Sequence, residues 1–376
     1  MACALGIEPR EPGARWPLTL RQRLTILAFV PAFALLQALH WIGFTIDEVL
    51  FRGYRGVEVR APVFVVGPPR TGTTFLHRVL ARDERFTTFR AWECLLAPSV
   101  TERKLVGLLV RADAVIGRPG ARLLGALERR VFGTLAGVHD VALDEPEEDY
   151  LALLPVLGAF ILVVPFPFAD WLWRWAALDR DAAEGERAAL MGFYTACLKK
   201  HLYAHGPGKT LLSKNASFAG MAGALREAFP DARILFTTRD PLHALPSQLS
   251  SIRPGVEAFG YGKAARRRLT ERIVETTAFY YANVERQLAT TPEALALRVP
   301  MEDLAGGLEP LVETAYARFG LEPSPAFRSC LAHEARAASA YRSSHRYRLD
   351  ELGLDAAALE ARFGCTRASH GGSSPC

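Results

Sequence analysis

Apolar and polar positions fall in blocks along this chain, and the blocks predict short strands separated by helices. Val63–Val66 is a continuous apolar run closed by glycine and two prolines, the pattern of a strand buried on both faces. Thr210–Lys214, Ile234–Thr238 and Ala294–Val299 have the same character. Between them lie stretches of helical pattern: from Thr73 onward, 101–138, 186–204, the segment that runs to Phe229, and Lys263–Ala289. Two more helices are expected up to about Ser339. Strands that alternate with helices predict a parallel, doubly wound sheet. Ligands of such sheets bind beyond the carboxyl ends of the strands. Arg70, Lys214 and Arg239 each follow an apolar run at such an end.

Two long apolar stretches stand outside this alternation. Leu24–Ile46 carries no Asp, Glu, Lys or Arg. A spanning helix needs ~20 apolar residues, so its length permits one. Pro31, Gln37 and His40 interrupt it, and it lies too far from the start for a signal peptide. The favoured reading is a helix packed on the domain or lying at a membrane surface. The spanning alternative stays open, and the positive-inside rule would then put the rest of the chain across the membrane from its N-terminus. Leu151–Phe168 is the second stretch. Pro155, Pro165 and Pro167 argue against a plain spanning helix, and Trp171, Trp173 and Trp175 follow. It reads as an apolar wall on the substrate side or as a buried helical hairpin.

Composition narrows the class. Half of the 376 residues are hydrophobic and 23% are charged, enough for a sizeable core. The net charge of +5 suits an anionic ligand and is too small to argue for nucleic acid. Six cysteines without paired spacing favour a reducing compartment and no structural metal. The sequon at Asn215 falls within the candidate site and reads as coincidence.

The segment Val63–His77 carries the chemistry. Gly67, Pro68, Pro69 and Gly72 form a tight loop between the strand and a helix that starts near Thr73. First-turn N–H groups without intrahelical partners make such a junction an oxyanion cradle. A Walker A loop reads G-x-x-x-x-G-K-[ST]. Gly67, Gly72 and Thr74 keep that spacing, but Thr73 replaces the lysine and the cation has moved to Arg70. A planar guanidinium suits a tetrahedral oxyanion. A nucleotide kinase or NTPase remains as a rival, although it would need the missing lysine and a carboxylate for Mg²⁺. A non-catalytic relative that keeps the fold is the other rival.

Pro68-Pro69-Arg70-Thr71-Gly72-Thr73-Thr74 resembles the 5′-phosphosulfate loop of the sulfotransferases that use 3′-phosphoadenosine 5′-phosphosulfate (PAPS). That family's second mark is a 3′-phosphate site, a strand-end arginine followed by a serine eight residues on. Arg239 and Ser247 have that spacing, with Pro241 suited to a first helical turn. Ser213-Lys214-Asn215 is similar to the K-N-P or K-S-P segment of bacterial-type and tyrosylprotein sulfotransferases, with Ala216 in place of the proline. Ser344–Gly353 resembles a closing segment of the bacterial-type family, so the likeness covers roughly 60–363.

The resemblance implies an α/β, P-loop NTPase-like three-layer fold with a central parallel sheet flanked by helices, to which the apolar pattern adds an N-terminal hydrophobic helix. Residues 1–56 would be a leader and that helix, 57–365 the catalytic domain and 366–376 a disordered tail. It also implies transfer of a sulfuryl group from PAPS to a hydroxyl or amine of a small-molecule, glycan or lipid acceptor, without a metal. Arg70, Thr71, Gly72, Thr73 and Thr74 would hold the phosphosulfate, Arg239 and Ser247 the 3′-phosphate, and Lys214 the bridging oxygen. For the general base, family spacing puts Glu93 first, with His139 or the acidic loop Asp140–Tyr150 second. His77 reads as a packing residue. The expected location is cytoplasmic, with peripheral membrane contact through 24–46. The acceptor and the oligomeric state are not readable.

Overall fold

A computed structural model describes residues 20–132, 143–206, 208–340 and 355–368. His139, the closing segment 344–353 and residues 369–376 of the expected tail 366–376 lie outside the described residues, while 366–368 belong to the helix Ala356–Ala368.

Five parallel strands form one sheet in the order β2-β3-β1-β4-β5. They are β1 (Val63–Val66), β2 (Phe86–Thr87), β3 (Thr210–Asn215), β4 (Arg233–Thr238) and β5 (Ala296–Pro300). The central strand pairs in register with β3, where Val63 faces Leu212, and with β4, where Val63 faces Arg233. Strand alternation divides the run 63–66 between two cores. Phe64 and Val66 join Ile234, Phe236, Leu225 and Val284 on one face. Val63 and Val65 join Leu212, Leu235, Leu297 and Val299 on the other. Both faces are covered, which is why these strands are apolar throughout. The two-residue β2 is too short to leave a period in the sequence.

Helices fill the layers and the connections. In chain order they are α1 (Leu20–Leu50), α2 (Thr73–Leu80), α3 (Ala91–Leu95), α4 (Val100–Val115), α5 (Pro119–Phe132), α6 (Asp170–Ala176), α7 (Leu178–Asp181) and α8 (Glu184–His205). Then come α9 (Ala222–Ala228), α10 (Pro241–Ala258), α11 (Lys263–Thr290), α12 (Met301–Gly306), α13 (Leu308–Arg318), α14 (Pro325–Ala340) and α15 (Ala356–Ala368). The proline-rich stretch 151–168 is no hairpin of long helices. It forms 3-10 turns at Asp149–Val156 and Phe160–Val163, because its prolines interrupt any longer backbone ladder.

The C-terminal half of α1 is bound firmly to the rest of the molecule. Asp47 is fully buried and accepts from Val100 N (2.9 Å), Thr101 N (2.8 Å) and Lys200 Nζ (3.0 Å). It thereby caps the α4 N-terminus. His40 bonds Glu102 at 2.6 Å, and Trp41 Nε1 donates to Pro155 O at 3.0 Å. Gly43 lies so close to α4 that a Cβ would overlap the Ser99 hydroxyl.

The strand order fixes where a ligand would sit. The chain leaves β1 to build β2 and β3 on one side and then crosses to build β4 and β5 on the other. The carboxyl ends of β1, β3 and β4 therefore open into one crevice.

Candidate active site

The loop after β1 is held in an unusual shape by a few short contacts. Gly67 approaches β4 so closely that a Cβ would overlap both the hydroxyl and the carbonyl of Thr237. Arg70 has φ 69° and Gly72 φ 89°, both left-handed. A non-glycine residue held there stores strain, and such positions gather at functional sites. The Thr71 hydroxyl donates to Pro68 O at 2.7 Å, and its oxygen lies 2.6 Å from the Thr237 hydroxyl. Gly67→Ala should lower stability by ~1–3 kcal/mol through overpacking. It should also weaken nucleotide binding, since the loop must move off β4. Unchanged melting and unchanged nucleotide titration would show that β4 yields instead.

The two motifs that lie farthest apart in sequence meet directly. Arg70 Nε donates to Ser247 Oγ on α10 at 2.9 Å. Arg239 Nη1 donates to the Arg70 carbonyl at 3.2 Å. Tyr281 OH donates to the Arg239 carbonyl at 2.8 Å, which ties this corner to α11. Asp240 caps α10 by accepting from Leu242 N at 2.9 Å, and Pro241 occupies its first turn. Arg70 and Ser247, assigned by sequence to opposite ends of one ligand, are thus hydrogen-bonded neighbours.

Lys214 enters from β3. Its Nζ donates to Thr74 Oγ1 at 3.1 Å and to Glu148 Oε1 at 2.8 Å, and its side chain is almost completely buried. Thr73 stands where a Walker loop has its lysine, and a lysine from the neighbouring strand arrives one residue further along. Buried ions of this kind persist when paired and hydrogen-bonded.

Behind Lys214 the strand period turns Ser213 and Asn215 the other way. Both bond Asp149, which also accepts from Tyr194 OH at 2.7 Å. The Asn215 side-chain oxygen accepts from Tyr150 N at 3.0 Å, so the sequon asparagine is buried and engaged. Burial raises the Asp149 carboxyl to about 6, and the bonds from Tyr194, Asn215 and Ser213 restrain the rise. A carboxyl raised in the folded state holds its proton more tightly than in the unfolded chain. Its contribution is full below the ordinary value and is lost as pH rises through about 6. Asp149→Asn removes that loss. The stability difference, variant minus parent, should therefore rise by on the order of 3 kcal/mol between pH 4 and pH 7. A flat difference in denaturant titrations would refute the assignment.

A cavity of about 430 Å³ opens beside the loop. Arg70, Thr73 and Thr74 line one side, and Glu147 and Glu148 another. The apolar wall comes from Leu151, Phe160, Ile161, Val163 and Val164 of the proline-rich stretch. This agrees with the wall reading of 151–168. Tyr280 also lines the cavity, and its buried hydroxyl has no hydrogen-bond partner among the described residues. No sequence signal marks Tyr280, one of three successive aromatic residues in a long helix. Glu148 lay within the acidic loop, but only the fold shows its ion pair with Lys214.

Glu93 is not on the cavity lining. Its carboxylate is completely buried, with Oε2 accepting from Arg90 N at 2.8 Å and Oε1 bonded to His205 Nε2. Arg103 Nη1 lies 3.7 Å from Oε1. Burial would raise this carboxyl. The His205 bond and the Arg103 charge outweigh it and hold the group at about 2. Glu93, His201 and His205 bring three potential metal-ligand atoms within 4.8 Å of one another. Arg103 Nη1 lies 3.2 Å from His201 Nδ1, so a fixed cation already serves this cluster. The segment that Glu93 caps bonds the acidic loop, through Ala91 N to Glu145 O (3.2 Å) and Glu147 N to Phe89 O (3.0 Å). His77 is fully buried, with Nε2 2.7 Å from Thr88 Oγ1, and burial lowers its pKa well below the ordinary value.

A strand-end cationic loop joined to a serine-bearing helix, on a parallel sheet of this order, defines a P-loop-like transferase architecture. The chain belongs to the sulfotransferase family, whose model matches residues 62–325. Among curated proteins it is similar to the omega-hydroxy-beta-dihydromenaquinone-9 sulfotransferase Stf3 of Mycobacterium bovis and of Mycobacterium tuberculosis. Identity to each is 26% over 268 residues, 69% of this chain. The match spans 63% of the length of those relatives. The fold is shared with sulfotransferase STF9 of Mycobacterium avium, at TM-score 0.74 and 17% identity over 96% of this chain and 88% of that one. It is also shared with sulfotransferase STF1 of Mycobacterium tuberculosis, at TM-score 0.65 and 22% identity over 85% and 80%.

Proposed function

We propose that this chain transfers a sulfuryl group from PAPS to the hydroxyl of a hydrophobic acceptor, a long-chain hydroxy lipid. One observation carries the reading: Arg70 lines a cavity whose other wall is apolar, and hydrogen bonds join it to Ser247 and Arg239. A nucleotide with an anionic group at each end would draw the Arg70 guanidinium toward its 5′ end and leave Ser247 and Arg239 to its 3′-phosphate. The α2 N-terminus and the loop N–H groups complement the same charge. The curated relatives are named for sulfation of an omega-hydroxylated dihydromenaquinone, and Leu151, Phe160 and Val163 give this cavity a matching apolar surface.

The acceptor oxygen attacks sulfur and forms the new S–O bond. The bond from sulfur to the bridging oxygen breaks, and its electron pair leaves with the nucleotide phosphate. Lys214 donates an N–H to the departing oxygen, and Glu148, its partner at 2.8 Å, takes the acceptor's proton. Tyr280 offers its free hydroxyl to the acceptor. Glu93 serves as a positioning residue, since it caps the segment on which the Glu148 loop is hydrogen-bonded. Fixed cations perform in this site the neutralisation that metal ions share in phosphoryl transfer.

The test is incubation with donor carrying labelled sulfur and separate hydroxy-lipid, glycan and phenol acceptors, with and without a chelator. Label in the hydroxy lipid is the expected result. Label in the glycan or phenol alone would overturn the acceptor class. Metal-dependent ATP turnover without sulfuryl transfer would overturn the reaction.

A further inference from the structure

The helix α1 is apolar on two opposite faces, and only one of them is covered. Phe29, Phe33, His40, Phe44 and Asp47 lie on the inner side. Phe29 meets Phe166 and Phe259 at centroid distances of 6.2 and 5.9 Å. The outer side is a stripe of Leu20, Leu24, Leu27, Leu35, Leu39 and Ile42, all exposed, with Leu27 at 70%. Their spacing of three, four or seven to eight residues keeps them within one helical sector. No charged residue interrupts α1 between Arg23 and Asp47. A helix that is apolar all round belongs in a core or a lipid phase.

The α4–α5 hairpin continues this surface. It springs from the point where Asp47 caps α4, and beyond Lys104 nearly every residue of α4 is exposed. Leu105, Leu108, Leu109, Val110, Val115 and Ile116 are open to solvent, Val115 at 87%. Arg111, Arg118 and Arg122 stand among them, exposed and unpaired with any described carboxylate. Scattered exposed leucines are ordinary, but a patch of this extent marks an interaction site.

We infer that α1 and the α4–α5 hairpin form a docking surface for an anionic lipid bilayer, on which the protein lies without spanning. Three observations choose this occupant. Leucines interleaved with arginines match the acyl boundary and the anionic headgroups together. A two-fold contact with a second copy would gather both sets of arginines into one interface. The helix that bears the surface also adjoins the cavity: Phe29, on its inner side, packs at a tilt against Phe166, two residues past Val164 in the cavity wall. The helix is long and apolar enough to cross a membrane, but its inner-face contacts and the buried ion pair of Asp47 with Lys200, which anchors its other end to the domain, argue for lying on the surface instead. The inference does not rest on sulfuryl transfer, because vesicle binding is read without turnover.

The experiment is co-sedimentation of the full chain with phosphatidylcholine vesicles, with and without phosphatidylglycerol, across a salt series. Binding only to the anionic vesicles is expected, with each of Arg111→Ala, Arg118→Ala and Arg122→Ala weakening it about fivefold at low salt. Leu105→Glu with Leu108→Glu, and separately Leu24→Glu with Leu27→Glu, should abolish binding. Melting temperatures and circular dichroism should stay at the parent's values, since these side chains touch no core. Equal binding of parent and variants overturns the proposal. So does absence of vesicle binding with a dimer in light scattering that the leucine substitutions dissolve. Bound protein that resists alkaline carbonate would make α1 a spanning helix and overturn it as well.

Discussion

Glu148→Gln is expected to lower kcat by about 10²–10⁴-fold, the usual yield of a positioned general base. Binding of adenosine 3′,5′-bisphosphate should change less than about threefold, because a neutral amide still accepts from Lys214. Glu93→Gln makes the contrast. It leaves Arg103 buried beside an uncharged group, and removing one partner of a buried pair costs about 3–5 kcal/mol. The expected sign is a large fall in melting temperature with kcat of the folded fraction within about tenfold of the parent. The loss should also depend on pH. A carboxyl held at about 2 in the folded state stabilises the protein above its ordinary value of 4.5 and loses that effect as pH falls through about 2. Parent and Glu93→Gln should therefore converge in acid. Should Glu93→Gln fold normally and fail to turn over while Glu148→Gln stays active, the proton would go to Glu93, as family spacing suggests.

Arg239→Ala is expected to raise the Kd of adenosine 3′,5′-bisphosphate by about 10- to 150-fold, the range for lost hydrogen bonds to a charged group. Adenosine 5′-phosphate should be affected less than about threefold, since it lacks the group that Arg239 would hold. Calorimetric titration of both nucleotides decides the point. The structure specifies what equal losses would mean: Arg239 also donates to the Arg70 carbonyl, so it would then be acting on the shape of the loop. Ser247→Ala should cost less than Arg239→Ala, because a hydroxyl brings no charge. Added salt should shrink the Arg239 effect, since this side chain is partly solvated.

Much of the fold was legible because its strands are buried on both faces. A run such as Val63–Val66 or Ile234–Thr238 has few other uses in a chain bounded by glycine and proline. The β2 strand was not legible, since two residues carry no period. The wall at 149–164 could be placed as apolar, but its 3-10 geometry follows from prolines acting within a packed environment. Arg70, Lys214 and Arg239 could be placed near strand ends from local context alone. Their partners could not. Glu148 stands beside Lys214 across a separation of 66 residues, and nothing near either residue encodes that meeting. Glu93 shows the converse. Its spacing from the loop is suggestive, yet spacing says nothing about Arg103 and His205, which enclose the carboxylate from other helices. His139 lies outside the described residues, so its part in proton transfer stays an expectation from sequence.

The bond between Arg70 and Ser247 joins positions 177 residues apart, and Lys214 reaches Thr74 across 140. No contiguous fragment shorter than that span can bring these four residues together. Ligand affinity should therefore appear late in refolding, after the slow, non-local strand pairings have closed. A fluorescent nucleotide added during refolding would then report completion of the whole sheet, and saturating ligand would shield even distant loops from proteolysis by mass action.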